Sequence, residues 1–366
     1  MVYLIKEIIS HLESIAPPSY QESYDNSGLI VGQLNEEVTG ILCSLDVTEE
    51  VVLEAREKNC NLIISHHPII FKGLKGLTGK NYVERTVILA IQYGIALYAI
   101  HTNLDHVHTG VNKKIAVKIG LDNVKILAPK KGLLTKLVTF IPLPDTEIVL
   151  NALYEAGAGI IGNYAHCNFK VMGEGTFLPT KGANPYLGKQ GEEEKVNENR
   201  IEIMFPSYLK NKVIRALKMA HPYEEVAYYL QELENENQEV GAGMIGTIPN
   251  TMDEMEFLLH LKSTMGLKVI RHTGLLGKKI RKVALCGGAG IFLLPQAKMA
   301  GADIFITADV KYHEFFDAES QLVITDIGHY ESEIYTKELL IDILSQKFSN
   351  IALYLTNIVT NPISYL

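Results

Sequence analysis

Five side chains with the chemistry of metal ligands, His66, His67, Asp105, His329 and Glu333, each stand shortly after an apolar run. The clearest case is NLIISHHP at 61–68, where an isoleucine-rich run stops at two histidines and a proline. Leu62, Ile63 and Ile64 have the unbroken hydrophobicity of a strand buried on both faces, and ligands collect where such strands end. Neighbouring residues on extended backbone point in opposite directions, so His66 and His67 suit two ions better than one. A second run, IALYAI at 95–100, leads into HTNLDHVHTG, which carries Asp105. A third, LVIT at 322–325, passes Asp326 and Gly328 to reach His329. His329 and Glu333 are four residues apart where helical periodicity begins, which sets both on one helix face.

This set holds imidazoles and carboxylates and no thiolate. It suits zinc, with manganese, iron, cobalt and nickel as alternatives, and five groups exceed what one tetrahedral ion needs. Two ions about 3.5–4 Å apart that share one carboxylate use all five, with Glu333 as the bridge. Asp309 and His313, also four apart, are the candidate catalytic pair, either a general acid and base or groups that orient the ligands. His101 and Thr102 read as orienting groups, and His106 and His108 as loop histidines. The GGAG turn at 287–290 follows a strand and fits either a phosphate cradle or a packing turn, without the lysine of a P-loop. Tyr223, Glu224 and Glu225 line a ligand or subunit contact, or form an ordinary turn.

The elements that must position these groups alternate strands and helices. An amphipathic helix over 3–14 opens the chain, and strands at 29–32, 41–45, the run before His66 and 95–100 are separated by helices over 48–58 and 82–93. From about residue 125 the order becomes βαββαβ, that of a ferredoxin-like unit. Its middle holds a polar, mobile loop at 181–200, and a charged hinge at 232–239 closes it. The α/β rhythm then returns, with a helix over 252–264, strands at 283–286, 302–307 and 322–325, and a closing strand at 352–356. The expected fold is therefore α/β: a split core of mixed or mostly parallel sheets flanked by helices, over 1–124 and 241–366, interrupted by an α+β insert over 125–240.

Composition narrows the function. At 47% hydrophobic and 21% charged residues, the 366-residue chain has enough apolar material for two or three packed domains. A net charge of −8 argues against a large nucleic-acid footprint, which wants a basic face. No apolar run of membrane-spanning length occurs, and the first residues lack the apolar core of a signal peptide. Cys43, Cys60, Cys167 and Cys286 are widely spaced, as buried thiols of a reducing cytoplasm are.

Taken with DNSGL at 25–29, SHHP at 65–68, HTNLD at 101–105, TADVKYH at 307–313 and GHYESE at 328–333, the chain resembles the GTP cyclohydrolase 1 type 2 homologues. That family is also called the Nif-three-like proteins, and the resemblance covers essentially the whole length. The middle segment, with GNY at 162–164, NPYLG at 184–188 and HPYEE at 221–225, is similar to the PII- or CutA-like insert of the longer bacterial members. The resemblance implies one ion on His67 and His329, another on His66 and Asp105, and Glu333 touching both, with the choice between His66 and His67 left open. It also implies a toroidal homohexamer whose metal sites face an internal cavity. GGAG departs from the fully glycine run usual in the family, at Ala289. The expected function is that of a metal-dependent hydrolase acting on a small molecule such as a nucleotide. GTP ring opening is suggested by the family name alone, since the thiolate-containing set of the type-one cyclohydrolases is absent. The alternative is a non-catalytic regulatory or scaffold protein that senses a small effector or partner through the insert.

Overall fold

A computed structural model describes residues 2–366; Met1, the first residue of the expected core domain, lies outside the described residues. The chain forms two compact units, Met1–Pro129 with Gln238–Leu366, and Lys130–Asn237.

The first unit is built on two mixed sheets. In one, the strands run in the order Gly28–Val31, Ala96–Ala99, Leu62–Ser65, Ile41–Ser44 and Leu353–Leu355, parallel throughout except for antiparallel Gly28–Val31 at the edge. The three central strands are four residues long and buried at every position, which is why their sequences read as unbroken apolar runs. Helices Glu49–Glu57 and Tyr82–Gln92 cover them. Each starts at a side chain that accepts from the third backbone N–H, Thr48 from Val51 and Asn81 from Glu84. Val51, Val52, Ala55, Val87 and Ala90 from these helices pack with Ile63 and Leu97 of the sheet.

In the second sheet, Lys279–Leu285, Ile304–Thr307 and Val323–Asp326 are parallel, with Arg271–His272 and Asn237–Asp253 antiparallel beside them and Asp122–Lys130 outermost. Two of these strands depart from expectation. Residues 125–129 belong to this sheet and not to the start of the insert. The 17-residue strand Asn237–Asp253 had no counterpart in the sequence reading, because its glycines and proline interrupt the apolar alternation that marks a strand.

The second unit has the order βαββαβ. Its sheet runs Asn168–Phe177, Glu194–Pro206, Leu134–Pro142, Tyr228–Leu233, antiparallel at every pairing. Helices Thr146–Glu155 and Lys210–Ala220 contribute Val149, Leu150, Val213 and Leu217 to a core with Leu137, Ile201 and Phe205. The stretch 181–200, expected as a mobile loop, ends in strand: residues 194–200 pair with 171–177, and 198–200 pair with 140–142 on the other side. Their polar side chains alternate between solvent and sheet, a pattern that composition alone hides. Among the described residues, no helix is long and apolar enough to cross a membrane.

Candidate metal centre

His66 and His67 follow the strand Leu62–Ser65 directly, Asp105 sits on a short helix Thr102–His106 one residue beyond the Ile100 carbonyl's neighbour His101, and His329 and Glu333 span the short helix His329–Glu333. The folding of the first unit brings all five together. Ligand-type atoms of His67, His329 and Glu333 lie within 4.8 Å of one another, as do those of His66, Asp105 and Glu333, and those of His66, His67 and His101. Glu333 divides its oxygens between the groups. Oε2 is 3.0 Å from His67 Nε2 and 3.1 Å from His329 Nε2, while Oε1 faces His66 Nε2 at 3.9 Å.

Each histidine is held by its other ring nitrogen. His66 Nδ1 donates to the Ile100 carbonyl at 2.9 Å, His67 Nδ1 to Asp46 at 2.7 Å, His101 Nδ1 to Asp25 at 2.9 Å and His329 Nδ1 to Asp309 at 2.7 Å. A proton fixed on Nδ1 leaves Nε2 of a neutral ring as a lone pair, the tautomer a metal ligand needs. Asp25 is itself anchored by the Thr102 hydroxyl and backbone N–H, and Asp46 by the Thr360 hydroxyl.

The charges match this arrangement. In the metal-free protein burial drives His66 down to about 3, so the ring is neutral. For His67 burial pulls the same way, but the hydrogen bonds to Asp46 and Glu333 prevail and raise it to about 10. His329 goes up to about 9 against its burial, through Glu333 and Asp309. Burial opposes the ionisation of Glu333, yet His329 and His67 hold its carboxyl well below the usual range. Burial, with the Glu333 charge, pushes Asp105 well above it.

His66 Nε2 tests whether a cation fits. It is buried and has no hydrogen-bond partner among the described residues, and it faces Asp105 Oδ1 at 3.5 Å as well as Glu333. With Asp105 and Glu333 both ionised, the neutral imidazole lone pair would face acceptor oxygens only; the upward push on Asp105 expresses that crowding in the metal-free protein, and a cation between the groups relieves it. The donor set of nitrogen and oxygen fits a divalent transition ion.

The structure also redistributes the neighbouring groups. Asp309, in the left-handed region at φ 57°, is spent on His329 and is an orienting group. His313 is a correction: it is exposed on the turn Tyr312–Ala318, stacked against Phe316, and does not reach the cluster. His106 is not a loop histidine but a buried one, its Nδ1 2.8 Å from the Tyr20 carbonyl. The GGAG turn is a packing turn: its Gly287, Gly288 and Gly290 N–H groups donate to Asn112, Ser332 and Thr307, leaving none of the three for a phosphate. A cavity of about 670 Å³ opens over the cluster, with Tyr24, Phe71 and Phe292 among its walls.

Residues 3–362 match the profile of the family described as Duf34/NIF3 (NGG1p interacting factor 3). The chain belongs to this family. A Duf34/NIF3 relative from Halalkalibacterium halodurans, named GTP cyclohydrolase 1 type 2 homolog, is 39% identical over 364 residues, 98% of each chain. A solved Bacillus cereus structure, described as a protein related to NIF3, superposes with a TM-score of 0.88 at 39% identity over the whole of both chains. A Staphylococcus aureus structure gives 0.80 at 33% identity, covering 100% of this chain and 99% of that one.

Within this Duf34/NIF3 chain, the residues that sequence reasoning left without a role are Asp25 and Asp46. Asp46 stands just past the strand Ile41–Ser44, where a carboxylate at a strand end is a signal; Asp25 lies in the DNSGL motif ahead of the strand Gly28–Val31 and carries no such signal. His101 was read as an orienting group; the structure puts it within ligand distance of His66 and His67.

Proposed function

We propose that this chain binds two divalent ions per subunit, zinc first among the candidates, one at His67, His329 and Glu333 and the other at His66, Asp105 and Glu333. The observation that carries this reading is the buried His66 Nε2 lone pair facing two carboxylates. We further propose that the centre serves hydrolysis of a small molecule such as a nucleotide. A bound ion pair of this kind supplies water activation and polarises the group attacked. The chain's own part is to orient and enclose: Asp46, Asp309 and the Ile100 carbonyl fix the ligating rings, and the aromatic walls of the cavity suit a flat base. The GTP cyclohydrolase name of the relatives supports a purine nucleotide as the first substrate to try.

A regulatory reading stands beside this one, with Lys130–Asn237 as a PII- or CutA-like sensor, supported by its βαββαβ order and a cavity of its own. A toroidal homohexamer in the cytoplasm is the assembly and location consistent with the family resemblance. The direct test is elemental analysis of reconstituted protein. About two ions per subunit are expected, with about one or none in Glu333→Ala, whose carboxylate serves both positions. One ion or none in the wild type, or an unchanged count in the variant, overturns the dinuclear assignment.

A further inference from the structure

The cavity of the second unit, about 650 Å³, has a chemistry unlike that of the metal centre. Its lining includes Phe140, Phe177, Tyr186, Tyr223 and Tyr229, a number of rings close enough to form an aromatic enclosure. The Tyr223 ring lies 5.8 Å from Phe177 and 6.3 Å from Tyr186, and Phe140 is 6.0 Å from Tyr229. Within this enclosure Glu198 is only 8% exposed. One oxygen accepts from the Tyr223 hydroxyl at 2.8 Å, and the other occupies space that a side chain on residue 175 would need, since a Cβ on Gly175 would fall 2.2 Å from it. The glycine makes room for the carboxylate.

A buried carboxylate is normally matched by a cation. Among the described residues Glu198 has none. Its one polar partner is a neutral phenol. His221, in ring contact with Tyr223, is no substitute: its Nε2 donates to the Phe140 carbonyl at 2.9 Å and its Nδ1 accepts from the Tyr223 N–H, the pattern of a neutral ring. Arg200, the one basic residue of the lining, is bound to Glu202 at 2.8 Å. Of the other acids in the lining, Glu174 is paired with Lys195 at 3.5 Å, while Glu224 and Glu225 add further negative charge around the cavity.

We propose that this cavity is a binding site for a small organic cation, an ammonium group on an apolar body, with the charge held between Glu198 and the aromatic faces. Electron-rich ring faces and a desolvated carboxylate attract the same charge, and an apolar body fills the remaining walls. This site is separate from the metal centre and does not depend on the reading of that centre.

The test uses the full chain with benzylammonium as probe and benzyl alcohol as its neutral counterpart, titrated by calorimetry. Benzylammonium binds the wild type saturably, and the alcohol binds at least about tenfold more weakly. Glu198→Gln keeps the volume and the hydrogen bond but removes the charge, and lowers benzylammonium affinity about tenfold or more while leaving metal content unchanged. Should that buried variant misfold, Tyr186→Leu at the exposed rim still reports on the enclosure, with an affinity lowered about threefold or more. Equal affinity for ammonium and alcohol, no saturable binding, or indifference to these substitutions overturns the proposal. So does a change of oligomeric state in Glu198→Gln with no amine binding by the wild type, since the cation would then be a basic side chain of a second copy.

Discussion

At the scale of single residues, the candidate metal centre is a set of imidazoles whose protons are assigned by what lies behind them. Asp46 is 21 residues from His67, and Asp25 is 76 from His101. Such pairings leave no local period, so the ligands were legible from the strands they follow while their orienting carboxylates were not. The same pairings set a pH dependence for the metal-free protein. His67 and His329 rise to about 10 and about 9 on folding, from about 6.5 in an unfolded chain, so their contribution is complete below about 6.5 and is lost as pH climbs through those values. His66, depressed to about 3, acts in the opposite sense and withdraws stability as pH falls below about 6.5. The thermal midpoint of chelator-treated protein is therefore expected to drop by several degrees between about pH 7 and about pH 9.5, and His67→Gln to flatten part of that drop. A midpoint that stays level or rises across that interval contradicts the assignment of these protons. With metal bound the alkaline loss disappears, because a ligating imidazole is already neutral.

At the scale of elements, what could be read in advance follows burial. Leu62–Ser65, Ala96–Ala99 and Val323–Asp326 are short and buried throughout, and each announces itself as an apolar run that stops at a polar cluster. Asn237–Asp253 lies in the same kind of sheet but mixes exposed positions with glycines, so its pairing partners, and not its own sequence, make it a strand. The turn at 287–290 shows how an element reaches into the site. Gly288 sits at φ +60°, and a Cβ there would lie 2.4 Å from Glu333 Oε1. Gly288→Ala must either leave the left-handed region or displace the shared carboxylate. Metal affinity is expected to fall about 10–100-fold, measured by competition with a chromophoric chelator. Wild-type affinity in this variant would mean that the turn and Glu333 are not mechanically linked.

At the scale of the whole molecule, the two units carry separate cores, Leu42, Ile63 and their neighbours in one and Leu137, Phe205 and theirs in the other. The chain leaves the first unit after Pro129 and returns at Gln238, and at Gly241 the returning strand passes so close to Ala128 and Pro129 that a Cβ would meet the Ala128 carbonyl at 2.2 Å. The two cut ends are thus near each other, and a short glycine–serine linker spans them. Removing Lys130–Asn237 in this way is expected to leave a protein that unfolds in one cooperative transition and keeps the metal stoichiometry of the full chain. Loss of cooperativity would show that the first unit needs the second to fold. A modest loss of stability without loss of cooperativity is compatible with independence.

The sheet that carries His66 and His67 is completed at its far edge by Leu353–Leu355, and the carboxylate behind His67 is braced by Thr360. His67 and Glu333 are 266 residues apart in the chain. During synthesis the two histidines therefore leave the ribosome long before Glu333, the edge strand or the brace exists. A nascent chain holds His66, His67, His101 and Asp105 without the carboxylate that both proposed positions share. The two positions proposed above are therefore complete only once residue 333 has been made, and a chain cut short before residue 329 lacks both His329 and Glu333.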